Sequence, residues 1–563
     1  MKQLLDYFFP RGFVNEAIVL IKLTLPIAVT SIITFLIGPL SVLFCGRYHV
    51  EEMKSSLSIV GCALSVFNAF GVVFPVGMLT ACETFFSQTY GTGDYKNMSI
   101  QFQRALLLAI IICVPGTAFF LCIKPILLGL KQPPTIIHDV DEYLIYLIPG
   151  LFGVSLNQVF QKFFQTQNFV YGPLVVGIGG NLVNAFLHYL LLFYYDIGLK
   201  GSAIAQSSAF WAQIVFFVLL FVICKFPKKY ATGFRLEIFS EWYKWSTLAI
   251  PGFLMIAFEW WIFEIGTFIA GTYGSLQLAA QIIVFQMATF TFMTVPFGFS
   301  IATCIKVGQS LGSGDPVGPI STKNVGLVLC VCSSMVFVFT LTFGREYVPM
   351  IFTDDRQVIQ FAAEILPIVA LLHFLDSFTG IGSGVVRGSG IQLAGSIIGI
   401  FGLWIIAFPM SMVIFKFTNF GIAGYWISLC TGIAIEGVLF LIYLSRIDWK
   451  KQVENAANRC NVVKGKKMIF IFSYLVVVAN DEENQNKQGS INVKRIVIGK
   501  FLLSCAIAGL FALSFYIRNH FNLREHFGVY CVFDNDTYVQ LPWYTPELTE
   551  SLNKPENCTI LAP

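Results

Sequence analysis

Two acids and two tryptophans lie inside the apolar run 249–271, AIPGFLMIAFEWWIFEIGTFIAG. Glu259 is near the middle of the run, and Trp260 and Trp261 follow it directly. Glu264 follows after Ile262 and Phe263. A charge at the centre of a bilayer costs about 2.5–3.5 kcal/mol even on insertion-based scales. An acid kept at that cost beside aromatic faces that attract cations predicts a binding site for protons and cations. The alternative is that Glu259 is protonated and only bonds to a neighbouring helix.

The two acids of this run do not share a face of a helix, because five residues correspond to about 140° of rotation. Glu259 is the deeper acid and is flanked by tryptophan, so we assign substrate and proton to it. Glu264 is either a proton relay or a buried bond between helices, since both uses of intramembrane acids occur.

Asp376 lies in the middle of another apolar run, and His373 precedes it by three residues on the same helical face. An acid and an imidazole at this spacing could carry a proton, because histidine titrates near neutrality. A packed histidine bonded to a backbone carbonyl is the alternative. Glu436 is a further acid within a run, and it can equally be a local partner of a neighbouring helix.

These residues belong to a chain with the composition of a membrane protein. Of its 563 residues, 56% are hydrophobic and 12% are charged, whereas soluble domains have about 25% charged residues. The net charge is only +4, and no basic patch interleaved with aromatics points to nucleic acid. The cysteines have no zinc spacing. We find no catalytic, metal or phosphate-loop signature, and therefore expect neither an enzyme nor a bound cofactor or metal.

The apolar runs predict an all-α protein with thirteen membrane-spanning helices, because a helix satisfies its own backbone groups inside lipid. The predicted spans are 17–45, 55–81, 105–129, 142–164, 172–195, 202–224, 245–271, 276–302, 323–344, 357–384, 392–416, 421–444 and 496–516. The predicted segments are an N-terminus at 1–16, a first lobe at 17–224, a linker at 225–244, a second lobe at 245–445, a partly disordered linker at 446–495, the thirteenth span at 496–516 and a tail at 517–563.

The distribution of basic residues predicts a cytoplasmic N-terminus. The cytoplasmic side then holds Lys2, Arg11, Lys96, Arg104, Lys162, Lys225, Lys228, Lys229, Arg235, Lys244, Lys306, Lys323, Arg387 and the basic run 446–500. The opposite side holds Arg47, Lys54, Lys131, Lys200, Arg345, Arg356 and Lys416, with Lys124 at an edge. No basic residue is then placed in the middle of a core span, which favours cationic over anionic ligands. We expect a multi-pass protein of the plasma membrane.

Thirteen spans place the tail on the extracellular or luminal side. The tail contains two N-glycosylation sequons, at Asn535 and Asn557. It also contains Cys531 and Cys558, which could form a disulfide in an oxidising compartment. Two free thiols are the alternative.

Two stretches of the chain repeat each other at a constant offset. PVGMLTACETFFSQTYGTGDYK and PFGFSIATCIKVGQSLGSGDP share identical residues 221 positions apart. The identical pairs include Pro75/Pro296, Gly77/Gly298, Gln88/Gln309, Gly91/Gly312, Gly93/Gly314 and Asp94/Asp315. Six spans lie in each period, so the copies enter the membrane in the same sense, and parallel repeats of this kind are a transporter design. In each copy the glycine allows a turn and the aspartate can cap the next helix.

Several motifs together resemble the multidrug and toxin extrusion family, and more narrowly its animal organic-cation branch. They are GSLQLAAQIIVFQMATFTFMTVPFGFSIATCIKVGQSLGSGDP, FEWWIFEIG, TACETFFSQTYG, GVVRGSG and GGNLVNA. The resemblance covers residues 15–450. It implies twelve core helices in two lobes, and the exchange of organic cations for protons driven by a proton gradient.

The resemblance also implies roles for individual residues. The central acids of the family fall on Glu259, Glu264 and Asp376, and a polar residue of its first lobe falls on Asn68. Asp376 occupies a position that is usually Glu in the animal members. A further family acid falls on Gln286, so a titratable group is replaced here by an amide.

The combined prediction is a monomeric secondary transporter that exports drugs, toxins and metabolites of cationic character by alternating access of two lobes. One alternative is a flippase for lipids or lipid-linked sugars, and another is an organic-anion exporter on the same fold. Both would need basic residues in the cavity. A membrane enzyme or receptor would leave the duplication unexplained.

Overall fold

The computed structural model describes residues 12–48, 53–130, 132–225, 230, 233, 236–272, 274–353, 355–418, 420–460, 505–519, 529–533, 538–541 and 558–561. Within these ranges, twelve helical spans have the length and apolar composition needed to cross a membrane. Numbered span 1 to span 12, they are Phe13–Cys45, Ser56–Thr92, Tyr95–Leu121, Pro134–Gln165, Tyr171–Tyr194, Leu199–Ile223, Trp242–Gly271, Leu276–Gly312, Gly318–Phe343, Arg356–Ser389, Gln392–Phe417 and Ile422–Ser445. The predicted twelve core helices are therefore confirmed.

Several spans are built from more than one helical segment. The α-helices are Phe13–Phe35, Ile37–Cys45, Met53–Val66, Val73–Met78, Thr80–Thr92, Tyr95–Leu121, Ile123–Gly129, Pro134–Gln165, Tyr171–His188, Leu199–Ile223, Trp242–Thr272, Ser275–Thr294, Pro296–Gly312, Gly318–Phe343, Arg356–Ser389, Gln392–Gly399, Phe408–Phe417, Ile422–Ser445 and Trp449–Arg459. Short 3₁₀ helices occur at Leu236–Phe239 and Pro349–Ile351. Wider π-helical turns lie within spans 2, 5 and 11, at Phe67–Val72, Tyr189–Tyr194 and Ile400–Ala407.

Spans 2 and 8 end at Thr92 and Gly312, about ten residues beyond the predicted ends at 81 and 302. The repeated stretches continue these spans as the helices Thr80–Thr92 and Pro296–Gly312. Their polar residues suggested a loop, but the structure buries most of them between the two halves of the protein.

Each repeat ends in the predicted turn and cap. Gly93 and Gly314 have φ values of 73° and 83°, a left-handed conformation that glycine adopts without a Cβ clash. The Asp94 side chain accepts a hydrogen bond from the backbone N–H of Asn97 at 3.0 Å. Asp315 likewise accepts from the next helix. Both aspartates therefore cap the helix that follows, as expected.

The two repeated helices cross each other through equivalent glycines. A Cβ atom added to Gly91 would lie 2.2 Å from the backbone oxygen of Gln309, and one added to Gly312 would lie 2.0 Å from that of Gln88. Because Gly91/Gly312 and Gln88/Gln309 are matched pairs of the repeat, the crossing has approximate twofold symmetry. Its axis runs between the halves.

Each half has its own apolar core. Buried clusters centred on residues such as Phe67 and Phe163 hold the first half together, and clusters around Trp426 and Phe440 hold the second. A further cluster joins span 1 to spans 8 and 9. The membrane face at which span 1 begins and spans 2, 4, 8 and 10 end is called the N-terminal face below.

A helix that was not predicted follows span 12. Trp449–Arg459 begins at Asp448, whose carboxylate accepts from the N–H of Lys450 at 3.0 Å. Arg459 donates to the backbone oxygens of Ser389 at 2.9 Å and Gly390 at 3.0 Å. The helix therefore docks on the end of span 10. The predicted linker beyond it, at 461–495, lies outside the described residues.

The last described helix is the shorter apolar helix Cys505–Asn519. Arg518 donates through both terminal nitrogens to the two carboxylate oxygens of the buried Asp141, each at 2.9 Å. The helix is thus fastened to span 4, on the face opposite the N-terminal face. Residues 496–504 of the predicted thirteenth span lie outside the described residues.

Three short strands in the tail were not predicted. β1 (Val529–Phe533), β2 (Tyr538–Leu541) and β3 (Cys558–Leu561) form an antiparallel sheet in the order β2-β1-β3. Cys531 pairs with Ile560 and Cys558 with Phe533, so the two cysteines lie on neighbouring strands but are not directly opposite. Their disulfide stays a prediction. Asn535 and Asn557 lie outside the described residues.

Candidate functional site

Span 7 carries the Glu-Trp-Trp sequence to the contact between the two halves. Trp260 and Trp261 pack in a cluster with the buried Val73 of span 2. The Trp261 indole N–H donates to the backbone oxygen of Ala69 at 2.9 Å. This oxygen belongs to the π-helical turn of span 2, which also holds Asn68 with its side chain exposed. The structure therefore brings the neighbourhood of Asn68 next to the two tryptophans.

A second π-helical turn contacts span 7 from within the second half. The Trp404 indole N–H, in the turn of span 11, donates to the backbone oxygen of Phe258 at 3.0 Å. Glu259 is the next residue along the chain. Both π turns thus bond to the segment around Glu259, and turns of this kind often occur at functional sites.

Three acids from three spans meet in the second half. Asp376 of span 10 interacts electrostatically with Glu259 of span 7 and with Glu436 of span 12, and Glu436 also interacts with Glu259. Glu436 lies against span 11, where a Cβ atom on Gly402 would be 3.1 Å from its own Cβ. Among the described residues, no hydrogen bond or ion pair compensates any of these three carboxyl groups.

His373 lies one helical turn before Asp376 and is only 1% exposed. Neither ring nitrogen has a hydrogen-bond partner among the described residues. Its ring meets Phe337 edge-on, with 5.4 Å between the centroids. The histidine is therefore packed as in the alternative, but without a bond to a backbone carbonyl, and its role in proton transfer stays a prediction.

Two further predicted residues, Glu264 and Gln286, have no described partner. Glu264 is half-buried, and no neighbouring charge is found for it among the described residues. Gln286 of span 8 is also half-buried, without a hydrogen bond in the part of the chain that the structure describes. Neither the relay nor the helix-to-helix bond considered for Glu264 is visible here.

A buried ion network at the N-terminal face was missed by the sequence reasoning. Lys162 and Arg387 were assigned to the cytoplasmic side, which stays a prediction, but their burial near the ends of spans 4 and 10, where they are only 8% and 2% exposed, was not predicted. Both contact Glu83 of span 2, which is 3% exposed. The signal that could have found this network is the acid in TACETFFSQTYG, because an acid inside an apolar helix requires a partner.

The network joins the two halves. The Lys162 ammonium donates to one carboxylate oxygen of Glu83, and the Arg387 guanidinium lies 3.0 Å from the other. Arg387 also donates to the Ser300 hydroxyl at 2.8 Å, and it attracts the Glu259 carboxylate electrostatically. Cys304 is the repeat equivalent of Glu83, and its Sγ atom lies 3.5 Å from Oε2 of Glu83.

Comparison with known proteins identifies the family. The MatE family model matches residues 26–190 and again residues 251–413. The chain belongs to the multidrug and toxin extrusion family. The human multidrug and toxin extrusion protein 1 is 32% identical over 451 residues, covering 80% of this chain and 78% of the relative. The mouse protein 2 is 32% identical over 459 residues, covering 81% and 78%.

Solved structures of multidrug and toxin extrusion (MATE) transporters share the fold. The eukaryotic MATE transporter AtDTX14 superposes with a TM-score of 0.75 at 22% identity, over 80% of this chain and all of that one. The Vibrio cholerae MATE transporter VcmN, in its bent form, gives a TM-score of 0.66 at 16% identity, over 80% and 99%. The double match of one family model confirms the internal duplication, and this chain is an integral, multi-pass membrane transporter.

Proposed function

We propose that this transporter exports organic cations in exchange for protons. The observation that carries the proposal is the meeting of Glu259, Asp376 and Glu436 without a compensating ion pair among the described residues. Negative charge and the aromatic side chains of Trp260 and Trp261 on the same span are features that suit a flat organic cation. The relatives named above are multidrug and toxin extrusion proteins, which supports this class of substrate.

Exchange follows from competition for the same carboxylates. A protonated carboxyl offers no charge to a cation, and a bound cation opposes protonation, so each ligand displaces the other. One pH unit across the membrane supplies about 1.4 kcal/mol per proton. The two halves rock about their common interface and expose the site to each side in turn, as in other parallel-repeat transporters. We place the protein in the plasma membrane as a monomer with a cytoplasmic N-terminus.

The other predicted residues have supporting roles in this proposal. Asp376 shares the proton with Glu259, and His373, whose ring has no hydrogen-bond partner among the described residues, lies one turn away as a further proton carrier. Asn68 contributes a polar contact from the first half. Glu264 and Gln286, on spans 7 and 8, modulate the site without holding the cation themselves.

The test is uptake of a fluorescent organic cation into proteoliposomes loaded at acidic pH. We expect Glu259→Gln to lower the initial rate at least tenfold, because both proton and cation lose their main anionic site. Glu364→Gln is the matched control, since Glu364 is also an acid of a membrane span but is exposed. Wild-type rates in Glu259→Gln would refute the proposal.

Export of organic anions is the competing function on the same fold. An anion or a phosphate headgroup needs basic side chains, and the buried Lys162 and Arg387 are already paired with Glu83. Uptake of a labelled tricarboxylate or lipid analogue, without uptake of the cation, would favour this competitor in the same vesicles.

A further inference from the structure

An ion pair between the halves is buried at the N-terminal face. Glu83 belongs to the first half and Arg387 to the second, and 3.0 Å separates their charged groups. Both side chains are almost fully buried. Breaking a buried pair by removing one partner is costly, because it leaves a charge without compensation. The contact therefore resists separation of the halves at this face.

Hydrogen bonds related by the repeat surround this ion pair. Gln88 donates to the backbone oxygen of Gly388 at 2.9 Å, and its equivalent Gln309 donates to that of Thr166 at 2.9 Å. Each bond runs from one half to the other. Thr84 adds a third bond across the interface, to the Arg387 backbone oxygen at 2.6 Å. All must break if the halves part here.

Lys162, the third member of the network, lowers the free-energy cost of separating the halves. Lys162 belongs to the same half as Glu83 and bonds to its other oxygen, so Glu83 keeps a cationic partner when Arg387 leaves. Arg387 keeps Ser300 and is attracted by Glu259 within its own half. Neither side of the broken pair is left as an isolated buried charge.

We propose that Glu83 and Arg387 form a reversible lock between the halves at the N-terminal face, and that Arg387 passes from Glu83 to the acid site at Glu259 when this face opens. Lys162 stabilises the opened first half. The inference rests on the proposed alternation of the two halves, and it adds a physical link between the binding acids and the closure of this face.

The test is hydrogen–deuterium exchange of the purified full chain, followed in peptides from residues 80–92 and 296–312. We expect Arg387→Gln to raise exchange there at least threefold, because the lock is lost while Glu83 stays paired with Lys162. Lys162→Gln should not raise it, because the lock persists and the opened state loses its support. Asp141→Asn, which breaks a buried ion pair at the opposite face, is the control and should leave these peptides unchanged.

Equal increases in Arg387→Gln and Lys162→Gln would overturn the lock, since they would indicate a merely structural network; so would no change in either. If Arg387→Gln does not fold, Gln88→Ala should raise exchange in the same peptides, and its failure to do so overturns the proposal.

A further variant tests whether Arg387 moves from Glu83 to Glu259. Glu259→Gln should lower exchange in these peptides, because the opened state loses a partner for Arg387, and unchanged exchange would refute this step. None of these measurements uses transport. A failed cation uptake together with the expected exchange pattern would reject the proposed substrate and leave the lock standing.

Discussion

Glu259, Asp376 and Glu436 come from three different spans and interact electrostatically, and like charges in a medium of low dielectric repel one another. A positive ligand or a proton relieves that repulsion. Each acid therefore contributes to cation affinity even where it does not touch the ligand. The number of carboxylates in this group therefore influences which substrate charge the site binds best.

At this scale we expect Glu436→Gln to weaken binding of a monovalent organic cation. Loss of one nearby negative charge should cost about 1–2 kcal/mol, which corresponds to a rise in KM of roughly five- to thirtyfold. Initial rates over a range of cation concentrations in acid-loaded vesicles measure this. A KM equal to that of Glu364→Gln would show that Glu436 is only a local helix partner.

The sequence identified individual acids better than their neighbours. Glu259 and Asp376 were found because an intramembrane acid is costly, but nothing in a single sequence tells which spans are adjacent, so the proximity of Glu436 was not predicted. The burial of Lys162 and Arg387 was missed because basic residues close to the end of an apolar run resemble loop residues. Their burial depends on Glu83, which lies in a different span from either of them.

At the scale of elements, the crossing of spans 2 and 8 depends on having no side chain at two positions. The backbone of one helix lies where the Cβ atom of the other would be. Glycine weakens a helix by about 0.5–1 kcal/mol relative to alanine, so its presence here is explained by the close approach and not by helix formation.

Gly312→Ala should therefore lower the melting temperature of the purified protein, since overpacking of this kind costs about 1–3 kcal/mol. Gly61→Ala is the matched control. Gly61 also lies within a helix, but no atom is found within 4 Å of an added Cβ, so alanine should be neutral or stabilising there. Equal melting temperatures for the two variants would contradict the described crossing.

The spans themselves were predictable because apolar length is a strong signal. Their ends were less so. The polar composition of the stretch from Thr80 to Thr92 is typical of a loop, yet the stretch is helical. Its polar side chains are accommodated because they form hydrogen bonds across the interface, as Thr84 and Gln88 do. The helix Trp449–Arg459 was missed for a similar reason, since its polar residues suggested a linker.

At the scale of the whole molecule, the described hydrogen bonds between the halves cluster at the N-terminal face. The helix after span 12 adds to this contact, because the Thr89 hydroxyl of span 2 lies 3.7 Å from the Cys460 sulfur. Arg459, the preceding residue, bonds to the end of span 10. A covalent link at Thr89 would therefore tie span 2 to an element docked on the second half.

We expect Thr89→Cys to form a disulfide with Cys460 under mild oxidation, because the replaced oxygen is already near the sulfur. Transport should then fall at least fivefold and recover on reduction, since the halves can no longer part at this face. Thr89→Ser, treated with the same oxidant, should keep its activity. Full transport by the oxidised, cross-linked protein would show that this face need not open.

The clamp of Arg518 on Asp141 determines which half carries the tail. The last described helix is anchored to span 4, so the β-sheet that follows it is attached to the first half, whereas Trp449–Arg459 is attached to the second. Two fluorophores, one beyond β3 and one on that helix, would therefore move with different halves. The distance between them would report the relative movement of the halves during transport, without any substitution in the membrane-spanning residues.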